Sequence, residues 1–285
     1  MNKITPHLWF DKEANEAGAF YASVFPESRV TRVVQLHDTP SGSVDLVAIE
    51  LFGQEFRLIS AGPDFKFTPA VSFLVACRTK DEVEAYWRQL SNGAKALMDL
   101  GSYPFSERYG WLEDRYGLSW QLMYGANAGQ RITPVLMFTQ NVDGKAEDAI
   151  DFYTSVFPNA KIGDVMRNEQ GTVRWGSFTL EGQQFAAMDG GSAHAFTFNE
   201  AISFIVNCDT QQEIDAYWNK LSADPRAEQC GWLKDKYGLS WQIPPVVMTE
   251  MLATNNPKKL ARVTEAFLKM KKFDLAKLKA AYESA

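Results

Sequence analysis

The chain repeats itself in order over most of its length, and that duplication limits its fold more than any other feature. WLEDRYGLSWQL from Trp111 returns as WLKDKYGLSWQI from Trp232 at an offset of 121. SFLVAC ending at Cys77 returns as SFIVNC ending at Cys208 at an offset of 131, and AYWRQLS from Ala85 returns as AYWNKLS from Ala216 at the same offset. Nearer the start of each copy, FYASVFP from Phe20 matches FYTSVFP from Phe152, and ITPHLWF from Ile4 matches ITPVLMF from Ile132. The offset drops because residues 92–109 (18 residues) face only residues 223–230 (8 residues), so one loop has shortened between preserved flanks. A chain of 285 residues suits two domains at about 150 residues each, and the small polar segment GANAGQR, residues 125–131, is the expected junction.

Each copy contains a shorter rhythm. ITPHLWF reads as a strand, and the following stretch carries Ala17, Phe20, Tyr21 and Val24 at helical spacing before a proline stop. Three extended runs follow, then the order restarts with AVSFLVAC, the helical TKDEVEAYWRQLS and further extended pieces ending in GLSWQLMY. The pattern is strand, helix, three strands, twice per copy. Residues 1–125 and 126–245 are thus the two expected domains. Residues 246–285 have no counterpart in the first copy; Leu260, Val263, Phe267 and Met270 fall at spacings of three and four, which predicts a helical extension packed on the domains, with Asp274 capping its last helix.

Composition narrows the function. A net charge of −6 without a basic cluster argues against a nucleic-acid surface. No apolar run approaches the roughly 20 residues that span a bilayer, and the N-terminus lacks a signal-peptide pattern, so a cytoplasmic location is expected. Cys77, Cys208 and Cys230 form no CxxC pair and read as free thiols. His7, His37 and His194 are too scattered for a triad or zinc motif, and no glycine-rich strand-to-helix turn of the dinucleotide-binding kind occurs, so no cofactor is expected.

ITPxLxF, FYxSVFP, the strand ending in Cys followed by AYWxxLS, and GWLxDxYGLSWQ resemble the PhnB-like branch of the vicinal oxygen chelate superfamily, which includes glyoxalase I, extradiol dioxygenases and bleomycin-resistance proteins. This branch also carries a 3-demethylubiquinone-9 3-methyltransferase domain label. The resemblance implies an α+β fold of tandem domains, each of two βαβββ units forming a bowl-like sheet. It further implies either a monomer that is an internal pseudo-dimer or a homodimer.

Metal-bearing members of the superfamily place ligands on the first and last strands of each unit, four per bowl. Gln121 and Gln242 stand where those relatives have a glutamate, and a neutral amide is the weaker ligand. Alternation along the first strand puts Ile4, Pro6, Leu8 and Phe10 under the helix and Thr5, His7 and Trp9 on the concave face, although ungapped matching to glyoxalase-type sequences would select Pro6. With one bowl per copy, the first gathers His7, Trp9, Arg57 (or Ile59), Ser72 and Gln121, and the second Val135, Met137, Ala186, Met188, Ser203 and Gln242. No tight divalent site is expected in either. Trp120 and Trp241 face away from the glutamines and read as core.

The leading expectation is metal-independent binding or sequestration of an aromatic or amphipathic small molecule, in the pocket formed by His7, Trp9, Arg57, Ser72, Gln121, Met137, Ser203 and Gln242. Binding near His7 would then depend on pH between roughly 5.5 and 7.5. Two alternatives stay open. One is a metal-dependent or degenerate lyase, isomerase or dioxygenase, with His7 as a base; the other is an assembly scaffold.

Overall fold

A computed structural model describes residues 2–126 and 129–284. Met1 and Ala285 lie outside the described residues, as do Asn127 and Ala128 within the expected junction. The first copy runs β1 (Ile4–Phe10), α1 (Ala14–Val24), β2 (Arg29–Thr39), β3 (Gly42–Leu51) and β4 (Gln54–Ser60), then β5 (Val71–Cys77), α2 (Lys80–Leu90), β6 (Lys95–Tyr103), β7 (Ser106–Glu113) and β8 (Ser119–Tyr124). The second runs β9 (Ile132–Thr139), α3 (Ala146–Val156), β10 (Lys161–Arg167), β11 (Val173–Leu180) and β12 (Gln183–Gly191), then β13 (Ile202–Val206), α4 (Gln211–Leu221), β14 (Trp232–Lys234) and β15 (Ser240–Gln242). Three helices follow: α5 (Val247–Leu252), α6 (Pro257–Leu268) and α7 (Leu275–Glu283).

The sheets do not follow the copies. One sheet has the order β14-β15-β13-β1-β4-β3-β2, and the other β10-β11-β12-β9-β5-β8-β7-β6. Each therefore joins the first unit of one copy to the second unit of the other, through β1 antiparallel to β13 and β9 antiparallel to β5. This corrects the expectation of one bowl per copy. We call the bowl containing β1 the first and that containing β9 the second. One apolar core runs between the two sheets, with Phe56 edge-on to Phe73 at 5.3 Å and Phe185 to Phe204 at 5.3 Å.

The repeated WLxDxYGLSWQ block is explained by its aspartate. Asp114 accepts the backbone N–H of Tyr116 (2.8 Å) and Leu118 (3.0 Å), the Trp120 indole N–H (3.0 Å) and the Tyr21 hydroxyl (2.8 Å). Asp235 does the same with Tyr237, Leu239, Trp241 and Tyr153. Gly117 (φ +84°) and Gly238 (φ +87°) supply the left-handed residue that closes each turn. The motif ties each copy's last strand to its first helix, which requires Asp, Tyr and Trp together; buried polar groups are stable when all are paired. Trp120 and Trp241 are fully buried, on the face opposite the glutamines.

The shortened loop changes the rim of the first bowl. In the second bowl β6 pairs with β7, with Tyr109 opposite Gly101. The second copy has only the short β14 and β15 here, not three strands. The N–H groups of Cys230 and Gly231 instead donate to the carbonyls of Met270 (2.8 Å) and Lys271 (2.7 Å), so the C-terminal extension stands in for the missing strand. The extension then crosses the same bowl, where Met248, Met251, Val263 and Phe267 pack with Leu36, Val44 and Ala61, and Trp9 borders the cluster. Asp274 caps α7 through Lys277 N–H at 3.0 Å.

Candidate functional site

Strand register places one row of side chains across the floor of each bowl. In the first, Arg57, His7 and Ser203 are successive partners on β4, β1 and β13, and Gln242 donates to Ser203 Oγ at 2.9 Å. In the second, Ala186, Val135 and Ser72 are successive partners on β12, β9 and β5, and Gln121 donates to Ser72 Oγ at 2.8 Å. The register selects His7 over Pro6, which lies opposite the core residue Phe204. It also corrects the grouping: Gln121 and Ser72 belong with Val135 and Ala186, while Gln242 and Ser203 belong with His7.

His7 is 6% exposed, and among the described residues its Nδ1 has no hydrogen-bond partner. Burial, reinforced by the neighbouring Arg57 charge, lowers its pKa to about 3. It is therefore neutral through the physiological range, which overturns the expected pH dependence between 5.5 and 7.5. Its ring meets the Trp232 edge at 5.2 Å, and Trp232 in turn lies 6.1 Å from Trp9. Trp9 donates its indole N–H to Gly62 O (2.8 Å) and packs edge-on to Phe65 at 5.0 Å.

Arg57, the register partner of His7, also lines a cavity of about 350 Å³ together with Thr31, Arg32, Ala48, Glu50 and Glu55, and with Asn2 and Thr249 of α5. Arg57 pairs with Glu55 (2.5 Å) and Arg29 with Glu50 (2.7 Å). Arg32 donates to the Thr249 carbonyl at 3.3 Å and, among the described residues, has no carboxylate partner. Both glutamates of the wall are therefore neutralised by arginines, and Arg32 is its cation left without a carboxylate among the described residues.

The second bowl is self-satisfied. The Tyr109 hydroxyl donates to Gln121 Oε1 (2.7 Å), completing a Tyr109–Gln121–Ser72 line. Leu74, Val135 and Ala186 pack around it with Met123, Trp175 and Met188. Met137 is buried against Gly190, whose added Cβ would strike its sulfur, and so offers no open surface.

Neither row fits the divalent ion found in metal-bearing relatives. The first has a guanidinium at one of the four positions and the second two hydrocarbons, whereas a hard dication requires oxygen or imidazole donors. Among the described residues no three His, Cys, Asp or Glu side chains gather to hold a metal. Trp232, Tyr109 and Arg32 were not selected from sequence. Alternation from Leu233 would have turned Trp232 toward the bowl, but Arg32 needed the β2–β3 register, which contains bulges.

The 3-demethylubiquinone-9 3-methyltransferase family model matches residues 2–123 and 130–244. The PhnB protein of Bacillus cereus is 38% identical and covers 44% of this chain and 100% of its own, at a TM-score of 0.41. Glyoxalase I of Zea mays shares the fold over 87% of this chain and 96% of its own, with 13% identity and a TM-score of 0.55. No curated protein matches. Duplicated motifs, two bowl-like sheets and a family match across both copies lead to one assignment: the chain belongs to the 3-demethylubiquinone-9 3-methyltransferase family and has the glyoxalase-like fold.

Proposed function

We propose that the protein binds a small anionic molecule, without a metal ion, on the floor of the first bowl beside Arg57. The observation that carries this reading is the cavity of about 350 Å³, in which both lining glutamates are taken up by Arg29 and Arg57 while Arg32, among the described residues, keeps no carboxylate partner. Its volume falls within the roughly 300–1,000 Å³ typical of small-molecule sites. A carboxylate is the favoured headgroup, because a guanidinium presents parallel N–H donors to two oxygens.

The test is a thermal-shift and calorimetric titration with benzoate, with and without a chelator, on the wild-type protein and on Arg57→Gln and Arg32→Gln. Benzoate should raise Tm regardless of chelator, and Arg57→Gln should weaken binding about tenfold, the loss of one charge-assisted contact. A response that requires a divalent ion, or one unchanged in both variants, would overturn the reading. The alternative of a lyase or isomerase using His7 as base has less support, since a conjugate acid of pKa about 3 makes His7 a poor proton acceptor.

A further inference from the structure

Among the described residues, the C-terminal extension covers one bowl, the first. Residues 246–284 follow the duplicated region and lie over the first bowl. The segment is held firmly near its C-terminal end: Gln211 donates to Phe273 O (3.0 Å) and accepts from Leu275 N–H (2.8 Å), and Lys272 pairs with Asp215 at 2.6 Å. At its start, Val246 N–H donates to Cys208 O at 2.8 Å. Between these anchors α5 and α6 meet the sheet mainly through apolar side chains, with polar ties from Arg32 to Thr249 O and from Gln229 to Leu268 O (2.8 Å).

Two observations indicate that this closed arrangement has an open counterpart. Trp9, which packs against the cover, borders the Trp232 ring that meets His7, and among the described residues the buried His7 Nδ1 has no partner, an arrangement that a ligand hydroxyl or water could complete. The cover is also tied to the cavity's unmatched cation, because Arg32 spends a donor on the Thr249 carbonyl. An anion that engages Arg32 competes with that tie.

Resting on the anion-binding reading above, we propose that α5 and α6 form a displaceable strap and that the ligand is an aryl carboxylate. Its ring takes the apolar ground next to Trp9 that the strap holds when closed, and its carboxylate meets Arg57 and Arg32. The bowl is then a site whose competitor is built into the chain, and its apparent affinity is the intrinsic affinity reduced by the fraction of open strap.

The experiment is hydrogen exchange on the full-length protein with naphthalene-1-carboxylate, with acetate as the control anion. Naphthoate should speed exchange in residues 247–268 by about tenfold or more, slow it in β1 and β4, and leave α7 and the second sheet unchanged. Acetate should leave the strap unchanged. Phe267→Ala, which removes a strap anchor, should tighten naphthoate binding about tenfold, and Arg57→Gln should cancel that gain. If Phe267→Ala fails to fold, the wild-type exchange pattern decides alone. Unchanged or slowed exchange in the strap on naphthoate binding overturns the strap, as does failure of naphthoate to bind. Benzoate binding that depends on Arg57 would still leave the anion site standing, and loss of both responses removes it too.

Discussion

His7 is the register partner of Arg57 on adjacent parallel strands, so an imidazole and a guanidinium share one buried floor. Protonating the imidazole would put two like charges side by side out of water. The histidine consequently acts as a neutral polar group, and its contribution to stability carries a definite sign.

With the folded pKa lowered from 6.5 to about 3, the unfolded chain takes up the proton first as pH falls. The stability tied to His7 is complete above pH 6.5 and is lost progressively below it, by about 1.4 kcal/mol per pH unit toward pH 3. Asp235 acts in the opposite direction, since burial raises its pKa to about 6 and it takes up a proton in the folded state first. The test is therefore a difference: urea unfolding of wild type against His7→Gln at pH 7 and pH 5. The wild type should lose about 2 kcal/mol more than the variant over that interval. Parallel pH profiles would contradict the assignment.

Asp235→Ala should destabilise the protein by about 3–5 kcal/mol, because it strands two backbone N–H groups, an indole N–H and a phenol in a buried site. Asp114→Ala should act similarly, given its matching partners. Denaturant midpoints at pH 7 measure both. A loss below about 1 kcal/mol would show that the repeated motif is not the anchor described.

Gly231 (φ +82°) lies against the Phe273 ring, where an added Cβ would come within 2.3 Å of a ring carbon. Gly231→Ala should therefore cost about 1–3 kcal/mol and expose the C-terminal segment to limited proteolysis, whereas Gly238→Ala, with open space around its Cβ, should cost less. Equal losses at the two positions would mean that Phe273 does not dock there.

The row Arg57–His7–Ser203–Gln242 can be tested by restoring donors. Arg57→Glu with Ser203→His would complete a four-donor set with His7 and Gln242, and should give stoichiometric zinc or nickel binding by calorimetry. The corresponding Ala186→Glu and Ser72→His pair should bind more weakly, because Val135 leaves a gap. No binding in the first pair would show that the four side chains do not converge.

Much of this was legible in the sequence for local reasons. Period-two alternation turned His7 and Trp9 into the bowl and Trp120 and Trp241 away from it, since neighbours on a strand face opposite ways. The apolar stripe through Val263 and Phe267 marked a packed helix, but a stripe does not say what it covers. Partner choice was illegible for a sharper reason. SFLVAC and SFIVNC are nearly the same strand, so nothing local tells β1 whether to pair with β5 or β13. The answer lies in how the two copies pack, and that choice moved Gln121 to the other bowl.

The crossed pairing has a consequence during synthesis. Ile4 waits for Val206, roughly 200 residues downstream, before its sheet can close. At about 5–20 residues per second, a ribosome takes roughly 10–40 s to supply that partner. Over that interval the first unit emerges with an open edge, while the similar β5 arrives early as a decoy. The nascent chain must either hold that edge unpaired or form the wrong sheet and undo it, so the yield of active protein should depend on translation speed and on chaperones that shield strand edges.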